Sequence, residues 1–75
     1  MTQIEFIDLF KESFDDLESV IESDTLYKSL EEWTSMQALI LIAHIDDTIG
    51  IVLSADDLKN SNTVEDLYQL VNKQR

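Results

Sequence analysis

Over residues 3–14 the apolar side chains Ile4, Ile7, Phe10 and Phe14 recur at three- and four-residue spacing. Phe6 and Leu9 flank them, and Glu5, Asp8, Lys11 and Glu12 take the other face. That period predicts a first amphipathic helix. The acidic stretch 15–24 still holds Leu17, Val20 and Ile21, with no Gly or Pro to mark where the helix stops. Residues 25–33 follow neither the helical nor the strand period. They contain Leu26, Tyr27, Leu30 and Trp33, which predicts a long connection pinned to the core by those side chains. Thr34 with Gln37 three residues later is a capping-box pattern placed just before an apolar run, so the strongest helix starts there and runs to Ile49. Gly50, the single glycine, stands where a left-handed C-terminal cap belongs. Residues 54–58, Ser-Ala-Asp-Asp-Leu, read as a short capped turn of helix with acids at the positive end of its dipole. A last helix opens at Asn62-Thr63-Val64-Glu65, buries Val64, Leu67, Leu70 and Val71, and ends on Lys73 and Arg75. The pattern therefore predicts an all-α fold: a small four-helix bundle with a short third helix and a long connection between helices one and two.

The second helix carries Met36, Ala38, Leu39, Ile40, Leu41, Ile42, Ala43, Ile45 and Ile49, too many for one stripe. A helix apolar nearly all round is either deeply buried or keeps a face for a partner, and full burial is hard to arrange in so short a chain. Ala38, Leu41, Ile42, Ile45 and Ile49 are assigned inward, with Met36, Ile40 and Leu39 nearer a partner.

At 75 residues the chain reads as one domain, 1–75, near the size where only about 60% of the unfolded surface can be buried. No cysteine is present, so neither a disulfide framework nor a thiolate metal site supports the core. One Gly and no Pro argue against a turn-rich β fold. The formal net charge of −11, sixteen acids against five Lys or Arg, argues against nucleic acid and anionic membrane. It favours a monomer that meets proteins with basic patches, and the acidic run 15–24 reads as solvated surface. The first residues lack the basic and apolar regions of a signal peptide, and no apolar run reaches membrane-spanning length, so a cytoplasmic protein is expected.

His44 is the only histidine; no metal cluster or catalytic dyad can be built on it, and it reads as a surface residue. A calcium loop centred on Gly50 would put Ile45 and Ile49 where oxygen ligands belong, which excludes it. With no nucleophile set, no glycine-rich phosphate loop and no room for a substrate pocket, an enzyme is not expected.

The order and spacing of several short segments add a more specific reading. They are Asp24-Thr25-Leu26; Leu30 with Glu32-Trp33-Thr34-Ser35-Met36; Ile45-Asp46-Asp47 leading to Ile49-Gly50-Ile51-Val52-Leu53; Ser54-Ala55-Asp56-Asp57-Leu58; and Asn62-Thr63-Val64-Glu65-Asp66-Leu67. Together they resemble the acyl carrier protein family, in particular free-standing carriers with a Trp-Asp-Ser-Leu signature. The resemblance implies a four-helix carrier fold. It implies that Ser35 receives 4′-phosphopantetheine from coenzyme A through a magnesium-dependent phosphopantetheinyl transferase. The thiol of that arm holds an acyl or aminoacyl group as a thioester. It also implies further partners: an acyl- or amino-acid-loading enzyme and a downstream acyltransferase or condensing enzyme. Trp33, Thr34, Met36, Gln37 and Ile40 then fall at the docking face. A shelter for a short acyl chain is assigned to Ile42, Ile45, Leu58, Val64 and Leu67. For Trp33 the plainer reading is a clamp that holds the connection on the core.

Two departures stand out. The family has Asp where this chain has Thr34, and Leu where it has Met36. Gln37 and Ile40 occupy outer-face positions where carriers of fatty acid synthesis offer acids, which points to a dedicated pathway. The alternative is an acidic helical interaction module that keeps the carrier fold without the arm; Thr34 argues for it and Ser35 against.

Overall fold

The computed structural model describes residues 1–74. In chain order it has α1 (Gln3–Glu12), a single 3₁₀ turn (Tyr27–Ser29), α2 (Ser35–Ile49), α3 (Ala55–Lys59) and α4 (Val64–Lys73). The expected all-α bundle with a short third helix is what forms. α1 packs against α4 and α2, and α2 against α3.

α1 starts on a capping box that the periodicity alone did not mark. Thr2 Oγ1 accepts from the Glu5 N–H at 3.2 Å and the Glu5 carboxylate accepts from the Thr2 N–H at 2.8 Å. The buried stripe is Phe6, Leu9, Phe10 and Ser13, so the expected stripe through Ile4 is corrected: Ile4 is 73% exposed. Ile4 and Phe6 lie two residues apart and cannot share a helix face, and burying the larger ring wins. The helix also stops earlier than residue 14. The Phe10 carbonyl accepts from both the N–H and the hydroxyl of Ser13, at 3.2 and 2.7 Å. A serine that bonds its own preceding turn competes with continued α-helix.

The long connection is held by side chains and by backbone. Tyr27 is fully buried, and its hydroxyl donates to the Leu58 carbonyl at 2.7 Å and the Ser61 carbonyl at 3.1 Å. Burial, then the charge of Asp66, pushes its pKa up to about 12, against the Ser61 bond. Trp33 lies edge-on to Tyr27 with ring centroids 4.9 Å apart and parallel to Phe10 at 6.5 Å. Leu30 and Trp33 are half-buried against the core as expected, and Ile21 joins it at 4% exposure. Leu26 is a correction. It is 57% exposed, because this residue contributes its backbone instead, in an antiparallel bridge to Thr63. Glu32 folds the acidic stretch back on itself, accepting from the Glu18 N–H at 3.1 Å and the Ser19 hydroxyl at 2.9 Å. Its own backbone N–H first, then the Ser19 hydroxyl and the Glu18 N–H, hold its carboxyl below the usual range.

α2 ends on Gly50 in the left-handed conformation at φ 71°, its N–H returning to the Asp46 carbonyl at 2.8 Å. α3 and α4 both begin with complete capping boxes, Ser54 with Asp57 and Thr63 with Asp66. Val64, Leu67 and Val71 of α4 are buried; Leu70 is only half so. Arg75 lies outside the described residues.

Candidate functional site

The start of α2 differs from the start of α4 in how its backbone donors are satisfied. The first N–H groups of a helix have no intrahelical carbonyl. In α4 the connection supplies acceptors: the Val64 N–H donates to the Thr25 carbonyl at 3.1 Å and the Glu65 N–H to the Ser23 carbonyl at 2.8 Å. Thr63 Oγ1 then takes the Asp66 N–H at 3.1 Å. In α2 the cap does the last part only: Thr34 Oγ1 accepts from the Gln37 N–H at 3.0 Å. The Ser35 and Met36 N–H groups at the positive end of this helix have no such acceptor among the described residues, Ser35 and Met36 are both exposed, and the first turn carries no acid.

The capping box expected at Thr34 and Gln37 is therefore half formed. Gln37 does not return to the Thr34 N–H. Its Nε2 donates to the Ser13 carbonyl and the Ser13 hydroxyl, both at 3.1 Å, and the residue is only 8% exposed. Gln37 is thereby corrected from the docking face to the interior. It sits one turn before Leu41 and two before Ile45 on the inward stripe, and the polar end of α1 offers it partners there. The signal was present in the spacing 37, 41, 45, masked by the polarity of the side chain.

Thr34 and Ser35 border a cleft of about 420 Å³ between the start of α2, the connection and α3. Lys28, Trp33, Ala38, Ala55, Leu58 and Lys59 complete its walls. Trp33 packs on Phe10 and Tyr27, the clamp of the plainer reading, and it also lines the cleft beside Ser35. On the outer side of α2, Met36, Leu39 and Ile40 are 66%, 60% and 40% exposed, and with exposed Ala43 they form an apolar stripe at helical spacing. The residues assigned to an acyl shelter all belong to or pack on one core. Ile45, Val64 and Leu67 are closed off at 0% exposure and Ile42 is half-buried, so Leu58 alone of the five opens onto the cleft. His44 is half-buried rather than on the surface, its Nε2 enclosed without a hydrogen-bond partner.

The family model for the phosphopantetheine attachment site matches residues 5–71, most of the chain and all of this site. The chain belongs to that family. No curated protein and no solved structure matches the chain significantly. Its role is accordingly that of a phosphopantetheine carrier, and the family holds 4′-phosphopantetheine covalently. The residues present fit such a group. Ser35 offers an exposed hydroxyl in the first turn of a helix whose leading N–H groups have no backbone acceptor, and a cleft free of acids opens beside it. When bound, such an arm would supply a flexible terminal thiol. No described helix is long and apolar enough to cross a membrane.

Proposed function

We propose that Ser35 is the attachment point and that the protein presents acyl or aminoacyl groups to the enzymes of a dedicated biosynthetic pathway. The observation that carries this is the exposed Ser35 at the first position of α2, beside unpaired backbone donors that suit a phosphodiester. In the modification, the Ser35 oxygen forms a bond to the phosphorus that bears pantetheine. The bond from that phosphorus to the nucleotide half of coenzyme A breaks, and the hydroxyl proton passes to a base of the transferase or to water. The chain itself supplies position, not catalysis: the Thr34 cap fixes the first turn, and Trp33 and Gln37 tie that turn to the core.

The partners of this reading are a phosphopantetheinyl transferase, a loading enzyme and a downstream acyltransferase or condensing enzyme. They meet the outer stripe of Met36, Leu39 and Ile40, an apolar face where charge would be expected of a carrier built for strongly basic docking patches. The protein acts as a monomer in the cytoplasm, the compartment of its coenzyme A donor. No nucleic acid or membrane enters the reading, in keeping with a net charge of −11.

The test is intact mass after incubation with coenzyme A, magnesium and a broad-specificity transferase, with Ser35→Ala alongside. A gain of one phosphopantetheine in the parent and none in the variant is expected. No gain with a transferase from the source organism would leave the unmodified interaction module as the reading, with Thr34 in place of Asp as its cause.

A further inference from the structure

Charge is distributed unevenly over this molecule. Sixteen acids stand against five Lys or Arg, yet two of those five, Lys28 and Lys59, line the cleft beside Ser35, and no acid does. Two other surface hollows differ in charge: Asp46 and Asp47 line one beside His44, and the other pairs Asp66 with Lys73. Lys28 is also held in place. Its Nζ donates to the Lys59 carbonyl at 2.6 Å and lies 5.8 Å from the centre of the Tyr27 ring, which is itself buried and bonded to Leu58 and Ser61. Of the neighbouring α3 acids, Asp57 turns away to cap Ser54, accepting its N–H at 2.9 Å. The cleft is thus lined by the apolar Trp33, Ala38 and Leu58 together with two lysines and no carboxylate.

We propose that Lys28 and Lys59 form an anion subsite for whatever Ser35 carries. Resting on the attachment at Ser35, this gives the cargo a chemical class. An acyl group with a terminal carboxylate can lay its methylenes on Trp33 and Leu58 and its charge between the two ammonium groups. A neutral acyl group of equal length leaves those charges unpaired. In a chain so acidic, a carboxylate elsewhere on the surface meets net repulsion, so the pair of lysines discriminates by attraction inside the cleft and repulsion outside it. The arm's own phosphodiester is the second possible source of the anion, and it has the same chemistry.

The experiment loads the full chain with pantetheine alone, with a pentanoyl arm and with a glutaryl arm, and compares the parent with Lys28→Gln/Lys59→Gln. Two quantities are read: the rate of thioester cleavage by hydroxylamine and the ³¹P shift of the phosphodiester. For a carboxylate, glutaryl cleavage is slower than pentanoyl cleavage by about twofold to fivefold, the scale of an exposed charge pair. The difference disappears in the double Gln variant and in high salt, and returns with Lys28→Arg/Lys59→Arg. For the phosphodiester, the ³¹P shift of the unloaded arm changes in the Gln variant and both thioesters behave alike. Either result supports the subsite and names its anion. Equal cleavage with an unmoved ³¹P signal overturns it while attachment stands. Absence of any mass gain at Ser35 removes the attachment and the subsite together. Circular dichroism of each variant separates loss of fold from loss of charge.

Discussion

The Gln37 side-chain amide donates to both the carbonyl and the hydroxyl of Ser13 at 3.1 Å, joining the first turn of α2 to the residue that ends α1. The two groups it satisfies are buried, and Ser13 is 7% exposed. The bond therefore fixes the entry angle of the helix that starts at Ser35.

Removing that amide leaves the Ser13 carbonyl without a side-chain donor in a site closed to water. Gln37→Ala should cost about 1–2 kcal/mol. In a domain of this size that lowers Tm by roughly 4–8 °C per kcal/mol. Thermal unfolding of Gln37→Ala, Ser13→Ala and the double variant checks it, with a coupling above about 0.5 kcal/mol expected. Additive single effects would mean that the contact contributes nothing of its own. Modification of Ser35 should slow in Gln37→Ala, because the turn that presents the hydroxyl loses its tether.

Tyr27 ties the connection to the end of α3 and the link that follows it through its hydroxyl, at 2.7 Å to the Leu58 carbonyl and 3.1 Å to the Ser61 carbonyl. Its folded pKa, about 12, lies above the unfolded value near 10. The neutral phenol is thus the form the fold prefers. Its contribution is complete below pH 10 and is lost as pH rises from 10 to 12, since the unfolded chain releases the proton first. Stability measured by urea unfolding should decline across that window, and Tyr27→Phe should flatten the decline. At neutral pH the same variant leaves two carbonyls short of a donor and should cost about 1–2 kcal/mol. A parent curve as flat as that of Tyr27→Phe between pH 10 and 12 would refute the linkage.

Gly50 is left-handed at φ 71°, and a Cβ placed there meets nothing within 4 Å. Any loss on substitution is therefore backbone strain, not a clash. Gly50→Ala should cost about 1–2 kcal/mol, and Gly50→Asn less, because Asn tolerates this region better. Equal Tm values for parent and Ala variant would show that the C-terminus of α2 relaxes to another cap.

Most of the fold was legible because the helices of this chain announce themselves in local chemistry. Thr34, Ser54 and Gly50 mark ends through side-chain oxygens and a positive φ, and these signals do not depend on distant contacts. What the sequence could not supply were choices decided by tertiary partners. Ile4 and Phe6 compete for one face, and ring volume settles it. Gln37 looks like a surface residue until Ser13 stands opposite, and Leu26 looks like a core anchor until its backbone pairs with Thr63. The cleft beside Ser35 is the clearest case. Lys28, Trp33 and Lys59 are scattered over more than thirty residues of chain and only the fold gathers them.

Thr34 is where the chain departs from the carriers it resembles, and its cap allows the departure to be tested without disturbing the fold. Thr34 Oγ1 accepts from the Gln37 N–H at 3.0 Å, and Asp fills that role equally well. Thr34→Asp adds a negative charge at the positive end of α2, a change worth about 0.3–1 kcal/mol in favour of the helix. Thr34→Ala removes the cap and should cost about 1 kcal/mol. Stability and modification are therefore expected to separate. If the acid at this position serves the transferase complex, Thr34→Asp should gain phosphopantetheine faster than the parent, while Thr34→Ala should be less stable and no faster. Initial rates of mass gain with coenzyme A and a broad-specificity transferase, set beside Tm for all three proteins, decide it. A parent already as fast as Thr34→Asp would mean that the open N–H groups of Ser35 and Met36 suffice to present the serine, and that the acid is dispensable in this chain.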